Sequence, residues 1–137
     1  MKRILILVIF TASLAFGQTA KPRLATLAQQ KMCAEQARKT FHENSHPLRP
    51  SFIEWDYTSH YDTKSNQCFL MTADIDDDGV WIDVVDAFEL REYASFMTLN
   101  KGIVGDCTIN RPGHPHELCN SDEEFYTLVD KYFGIGR

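Results

Sequence analysis

The chain has 137 residues, 44% of them hydrophobic and 24% charged, with a formal net charge of −5. That is enough for one domain with a real core, and it excludes a disordered tail, a collagen-like fibre and a multidomain enzyme. The acidic balance, with no basic stripe, sets the chain against nucleic acid and anionic membrane surfaces as partners.

Lys2 and Arg3 open the chain, Ile4 to Phe10 is an unbroken apolar run, and Ala15-Phe16-Gly17 supplies small residues where a signal peptidase reads. This is the layout of a secretory signal peptide over residues 1–17, with a single α+β domain over 18–137. The apolar stretch is short for a spanning helix, so no membrane contact is expected after cleavage. The expected destination is the periplasm or the extracellular medium. Without Lys2 and Arg3 the mature part keeps 12 basic and 19 acidic residues, and its formal charge falls to −7.

From Leu24 to about Phe41 nothing breaks a helix, and Leu27, Ala34, Ala37 and Phe41 fall near one face with Cys33 beside them. Pro47 and Pro50 place a loop after it. Trp55 to Tyr61 alternates as a strand, Asp62 to Asn66 is turn chemistry, and Cys68 to Ile75 reads as the second arm of a hairpin. Asp76-Asp77-Asp78-Gly79 is a second turn, and Val80 to Val85 a third strand. The segment from Ala87 to Leu99 fits helix or strand. A fourth antiparallel strand completes a meander and is the reading adopted. Gly102 and Gly105 mark a loop, and Cys107 to Ile109 offers a further short strand. Ser121-x-x-Glu124 is a capping box, followed by Phe125, Leu128, Val129 and Tyr132 at helical spacing, with Gly134 as a left-handed cap. The expected fold is therefore α+β: an N-terminal helix, an antiparallel meander of about four strands and a C-terminal helix.

All four cysteines lie in the mature part, and an even count in a small exported chain reads as two disulfides. Four cysteines allow three pairings. The favoured one joins Cys33 to Cys68 as a helix-to-strand staple and Cys107 to Cys119 as a local clip.

Cys33-Ala34-Glu35-Gln36-Ala37, Tyr57-Thr58-Ser59-His60-Tyr61 leading into Cys68-Phe69, Asp86-Ala87-Phe88 with Glu92-Tyr93-Ala94, and Cys107 to Cys119 followed by Glu124-Phe125 form a set. Together they resemble a group of small exported bacterial proteins with no assigned activity. The resemblance implies export and disulfide bonding, and it assigns no catalytic residue.

Three constellations carry potential chemistry. His42-Glu43-x-x-His46 matches the zinc-hydrolase motif, in which two imidazoles one helical turn apart hold the metal and the glutamate activates its water. Pro47, directly after His46, argues against the helix that this geometry needs. A third ligand would come from His60, His114 or His116. His114-Pro115-His116 puts alternate histidines on an extended segment beside Glu117, a pattern open to zinc or copper but also to a plain surface loop. Asp74-x-Asp76-x-Asp78-Gly79 matches the first half of a calcium loop, whereas Val85 stands where the closing glutamate belongs. Its alternative is an acidic hairpin turn.

Nucleophile elbows and phosphate loops are missing from the sequence, and Ser59-His60 point to opposite faces of a strand. The functional expectation is a non-catalytic module that binds a protein, glycan or envelope partner. A zinc-dependent hydrolase and a calcium-binding domain are the alternatives.

Overall fold

A computed structural model describes residues 24–44, 52–99 and 102–135, with side chains of the second stretch described from Asp56 onward. The expected signal segment, residues 1–17, and His46 lie outside the described residues. Helix α1 spans Leu27–Asn44. Six strands follow: β1 Phe52–Asp62, β2 Gln67–Asp76, β3 Gly79–Asp86, β4 Glu92–Leu99, β5 Ile103–Ile109 and β6 Glu117–Leu118. Helix α2 spans Asp122–Phe133. The strands form one antiparallel sheet in sequence order, β1 to β6.

The α+β meander between two helices is as expected, but the sheet has six strands rather than about four. The fourth strand begins at Glu92, because Ala87 to Arg91 form the turn before it. The segment from Gly102 to Gly105, read as a loop, supplies Ile103, Val104 and Gly105 of the seven residues of β5. A bulge in β5 at Gly105, opposite Met97 and Thr98 of β4, absorbs the irregularity that the glycine signals.

The register decides which residues share a face. Tyr57, Thr72, Asp83, Ser95 and Thr108 form one cross-strand row, and Asp74, Trp81, Met97 and Asp106 the next. These rows lie on the α1 side. The intervening positions, Met71, Ile82, Val84, Ala94, Phe96 and Ile109, face α2 and form the larger core. Phe125, Leu128, Val129 and Phe133 of α2 close that core, with Phe125 against Phe96 and Phe133 against Phe69 and Tyr93.

The capping box forms as the sequence predicts. Ser121 Oγ accepts from the Glu124 N–H at 3.2 Å, and Gly134 ends the helix at φ 67°.

Helix α1 packs on β1 and β2. Its buried residues are Cys33, Ala37, Thr40 and Phe41. Leu27, expected on that face, is 81% exposed. Thr40 takes a place in the stripe because its hydroxyl donates to the Ala87 carbonyl at 2.7 Å, which satisfies both buried groups. The favoured disulfide pairing is the one formed. Cys33–Cys68 ties α1 to β2, and Cys107–Cys119 closes the loop between β5 and β6, with Cα separations of 5.3 and 5.1 Å.

Candidate functional site

Both helices sit toward one end of the sheet. On the α1 side, the residues buried beneath the helix are Tyr57, Tyr61, Cys68, Leu70 and Val85. On the α2 side, the helix begins near Phe96 and runs toward Phe133 and Tyr93. Among the described residues, α1 packs on β1 and β2, and only the first turns of α2 reach the other end, at the β2–β3 and β4–β5 turns. Two surfaces result.

The α2-side surface is a groove of about 520 Å³. Its floor is Ile75, Val80, Ile82, Phe96 and Val104, and Tyr126 with the start of α2 forms one wall. Strand alternation brings these apolar residues to one side. Ile82 and Phe96 are buried there, whereas Ile75, Val80 and Val104 stay half-buried. The helix N-terminus does not offer its N–H groups to a ligand in this groove. Ser121 accepts from Glu124 N–H, Asp122 Oδ1 from Glu123 N–H, and Glu124 Oε2 from Asn120 N–H. Three carboxylates in the first turn complete an acidic cap that disfavours anions there.

The α1-side surface combines apolar and acidic groups. Trp81 and Met97 are half-buried, whereas Leu99 and Ile103, paired across the β4–β5 hairpin, are 45% and 62% exposed. Gly105 keeps this strip low, since a Cβ there would stand 2.7 Å from the Met97 methyl group. Around it lie Asp74, Asp83 and Asp106. Ser95 Oγ donates to Asp106 Oδ2 at 2.8 Å and also hydrogen-bonds Thr108. Asp83 is pushed up to about 6, first by burial and then by the charges of Glu92, Asp74 and Asp106. Burial also raises Asp74. The ion pairs among the described residues involve Glu35, Glu43, Glu89 and Glu117, and none reaches these aspartates.

The motifs singled out by sequence fall elsewhere or come apart. His42 and Glu43 lie exposed in the last turn of α1, and Glu43 pairs with Lys39 at 3.9 Å. His60 lies on the α2 side against Gly134, far from the aspartates of the opposite face. His114 and His116 are exposed in the loop closed by Cys107–Cys119. Their neighbour Glu117 accepts from the Tyr132 hydroxyl at 2.9 Å and pairs with Arg111.

Asp74, Asp76 and Asp78 occupy three settings. Asp74 faces the α1 side in register with Trp81. Asp76 is buried, and its Oδ1 accepts from the Asp78 and Gly79 N–H groups at 2.7 and 3.0 Å. Asp78 is exposed in the turn. The flanks are strands, and the described residues hold no group of three His, Cys, Asp or Glu arranged for a metal ion.

The sequence reading missed Asp83, Asp106 and the Trp81–Met97 pairing as a unit. Only strand register brings them together. No family model, curated protein or solved structure matches this chain.

Proposed function

We propose that this chain is an exported, non-catalytic binding module that engages a protein, glycan or other envelope partner through the end of its sheet that the two helices leave partly open. The carrying observation is the groove of about 520 Å³ floored by Ile75, Val80, Ile82, Phe96 and Val104. Partly open apolar concavities bordered by a few polar groups are where proteins take up ligands. The signal-type N-terminus (Lys2, Arg3, then Ile4 to Phe10) and two disulfides support export. Among the described residues no helix is long and apolar enough to cross a membrane.

The test is retention of envelope components by the immobilised, oxidised protein, compared with Val104→Glu. That substitution puts a charge into the half-buried groove floor. Retention by the native protein and its loss in a folded Val104→Glu variant is the expected result. Failure to retain any component, together with hydrolysis of the extract, overturns the reading. Export is checked separately by cell fractionation of the full-length chain.

A further inference from the structure

We propose that the α1-side surface at the partly open end docks a basic amphipathic helix of a partner protein. The proposal rests on the binding-module reading and names the partner chemistry for the second of its two surfaces.

Four observations select that occupant. First, Trp81, Met97, Leu99 and Ile103 form an apolar strip on one side of β3 to β5, and Leu99 and Ile103 keep about half of their surface in water. Exposed apolar surface with a polar rim marks contact sites. Second, the rim is acidic. Asp74, Asp83 and Asp106 have no cation among the described residues, and the mature chain is acidic as a whole. A basic partner relieves their mutual repulsion and is steered to them over a Debye length.

Third, the width fits. Strands β2 to β5 span about 14 Å at the ordinary strand spacing, close to the roughly 10–12 Å diameter of one helix with side chains. Fourth, each face already carries one helix at its other end, so a second helix beside α1 continues the layer. Aliphatic Leu99 and Ile103 beside Trp81 match the apolar stripe of such a helix, and the flanking aspartates match lysine or arginine on its shoulders. Sugar hydroxyls would gain little from those two aliphatic side chains.

The experiment titrates the oxidised protein with an amphipathic Leu/Lys model peptide, read by calorimetry and tryptophan fluorescence. A scrambled peptide of the same composition and a chito-oligosaccharide run in parallel. Near-ultraviolet circular dichroism confirms the fold of each variant. The Leu/Lys peptide is expected to bind, and raised salt to weaken it. Trp81→Ala and the double change Asp83→Asn with Asp106→Asn should each weaken it about tenfold, a loss of about 1.4 kcal/mol. Asp130→Asn removes an exposed charge near the far end of α2 and should leave binding unchanged.

Equal binding of the scrambled peptide, insensitivity to the sheet variants, or preference for the oligosaccharide overturns the proposal. If envelope retention persists, is lost in Val104→Glu and ignores Trp81→Ala, this inference fails while the module reading stands. If retention fails as well, both fall.

Discussion

Six aspartates lie between Asp74 and Asp86, and they do different work. Asp76 and Asp86 are buried turn acceptors. Asp86 Oδ1 takes the Phe88 and Glu89 N–H groups, both at 2.8 Å, just as Asp76 serves the preceding turn. Removing the acceptor leaves two amides without a partner at the head of the β3–β4 turn. Asp86→Ala should therefore cost about 2 kcal/mol in urea denaturation, and an exposed control, Asp77→Asn, almost nothing. A loss below that of the control would show that water replaces the carboxylate.

Asp83 behaves in the opposite sense. Its folded-state value near 6 stands above the ordinary aspartate value, so between about pH 4 and 6 the folded chain binds more protons than the unfolded one. Its contribution is favourable at low pH and is lost as pH rises through 6. Asp83→Asn should then stabilise the protein by about 1 kcal/mol at pH 7.5, after discounting for solvent screening, with the gain fading below pH 5. A gain of the same size at pH 4.5 and pH 7.5 would exclude titration as its source. Spacing along the sequence linked Asp74 with Asp76 and Asp78. What places Asp74 near Asp83 is strand pairing, which a single sequence does not fix.

At the scale of elements, legibility followed the range of the forces. Helix α2 announces itself through Ser121, Glu124 and a four-residue stripe, all within one segment, and it forms as read. The extents of β5 and β6 depend on partners brought from a distance, and the bulge beside Met97 hid the strand behind two glycines. Helix α1 was legible in existence but shifted in position, running from Leu27 to Asn44 with Leu27 in water.

Only four of the 18 residues of α1 are buried, so the helix leans on its bridge to β2. Closing that loop of sequence separation 35 restricts the unfolded chain more than the separation of 12 between Cys107 and Cys119. The chain-entropy estimates are about 4 and about 3 kcal/mol. Replacing Cys33 and Cys68 by alanine should therefore cost more than replacing Cys107 and Cys119, and it should expose α1 amides to exchange before the sheet opens. Equal losses, with α1 still protected, would mean that Phe41, Thr40 and Ala37 hold the helix unaided.

At the scale of the whole molecule, cover is uneven along the strands. The end near Phe69, Val84, Tyr93 and Ile109 lies between two helices and two disulfides, whereas the end near Val80, Thr98 and Val104 is only partly covered. The partly covered end still needs close backbone packing. A Cβ at Gly79 would stand 1.8 Å from the Thr98 carbonyl oxygen, so β3 and β4 meet there as no side chain would allow. This combination predicts a gradient of local stability within a single sheet. Amides at Leu70, Val84 and Ala94 should exchange only on global unfolding, whereas those of β3 to β5 near the β2–β3 and β4–β5 turns should open at lower cost. Native-state hydrogen exchange measures both. A ligand seated at the partly open end should slow the second group selectively, because it supplies the cover that the helices leave out. Uniform protection along β3 and β4 in the unliganded protein would show that the end is already rigid. The stability of the molecule and the openness of its binding surface would then be independent of helix cover.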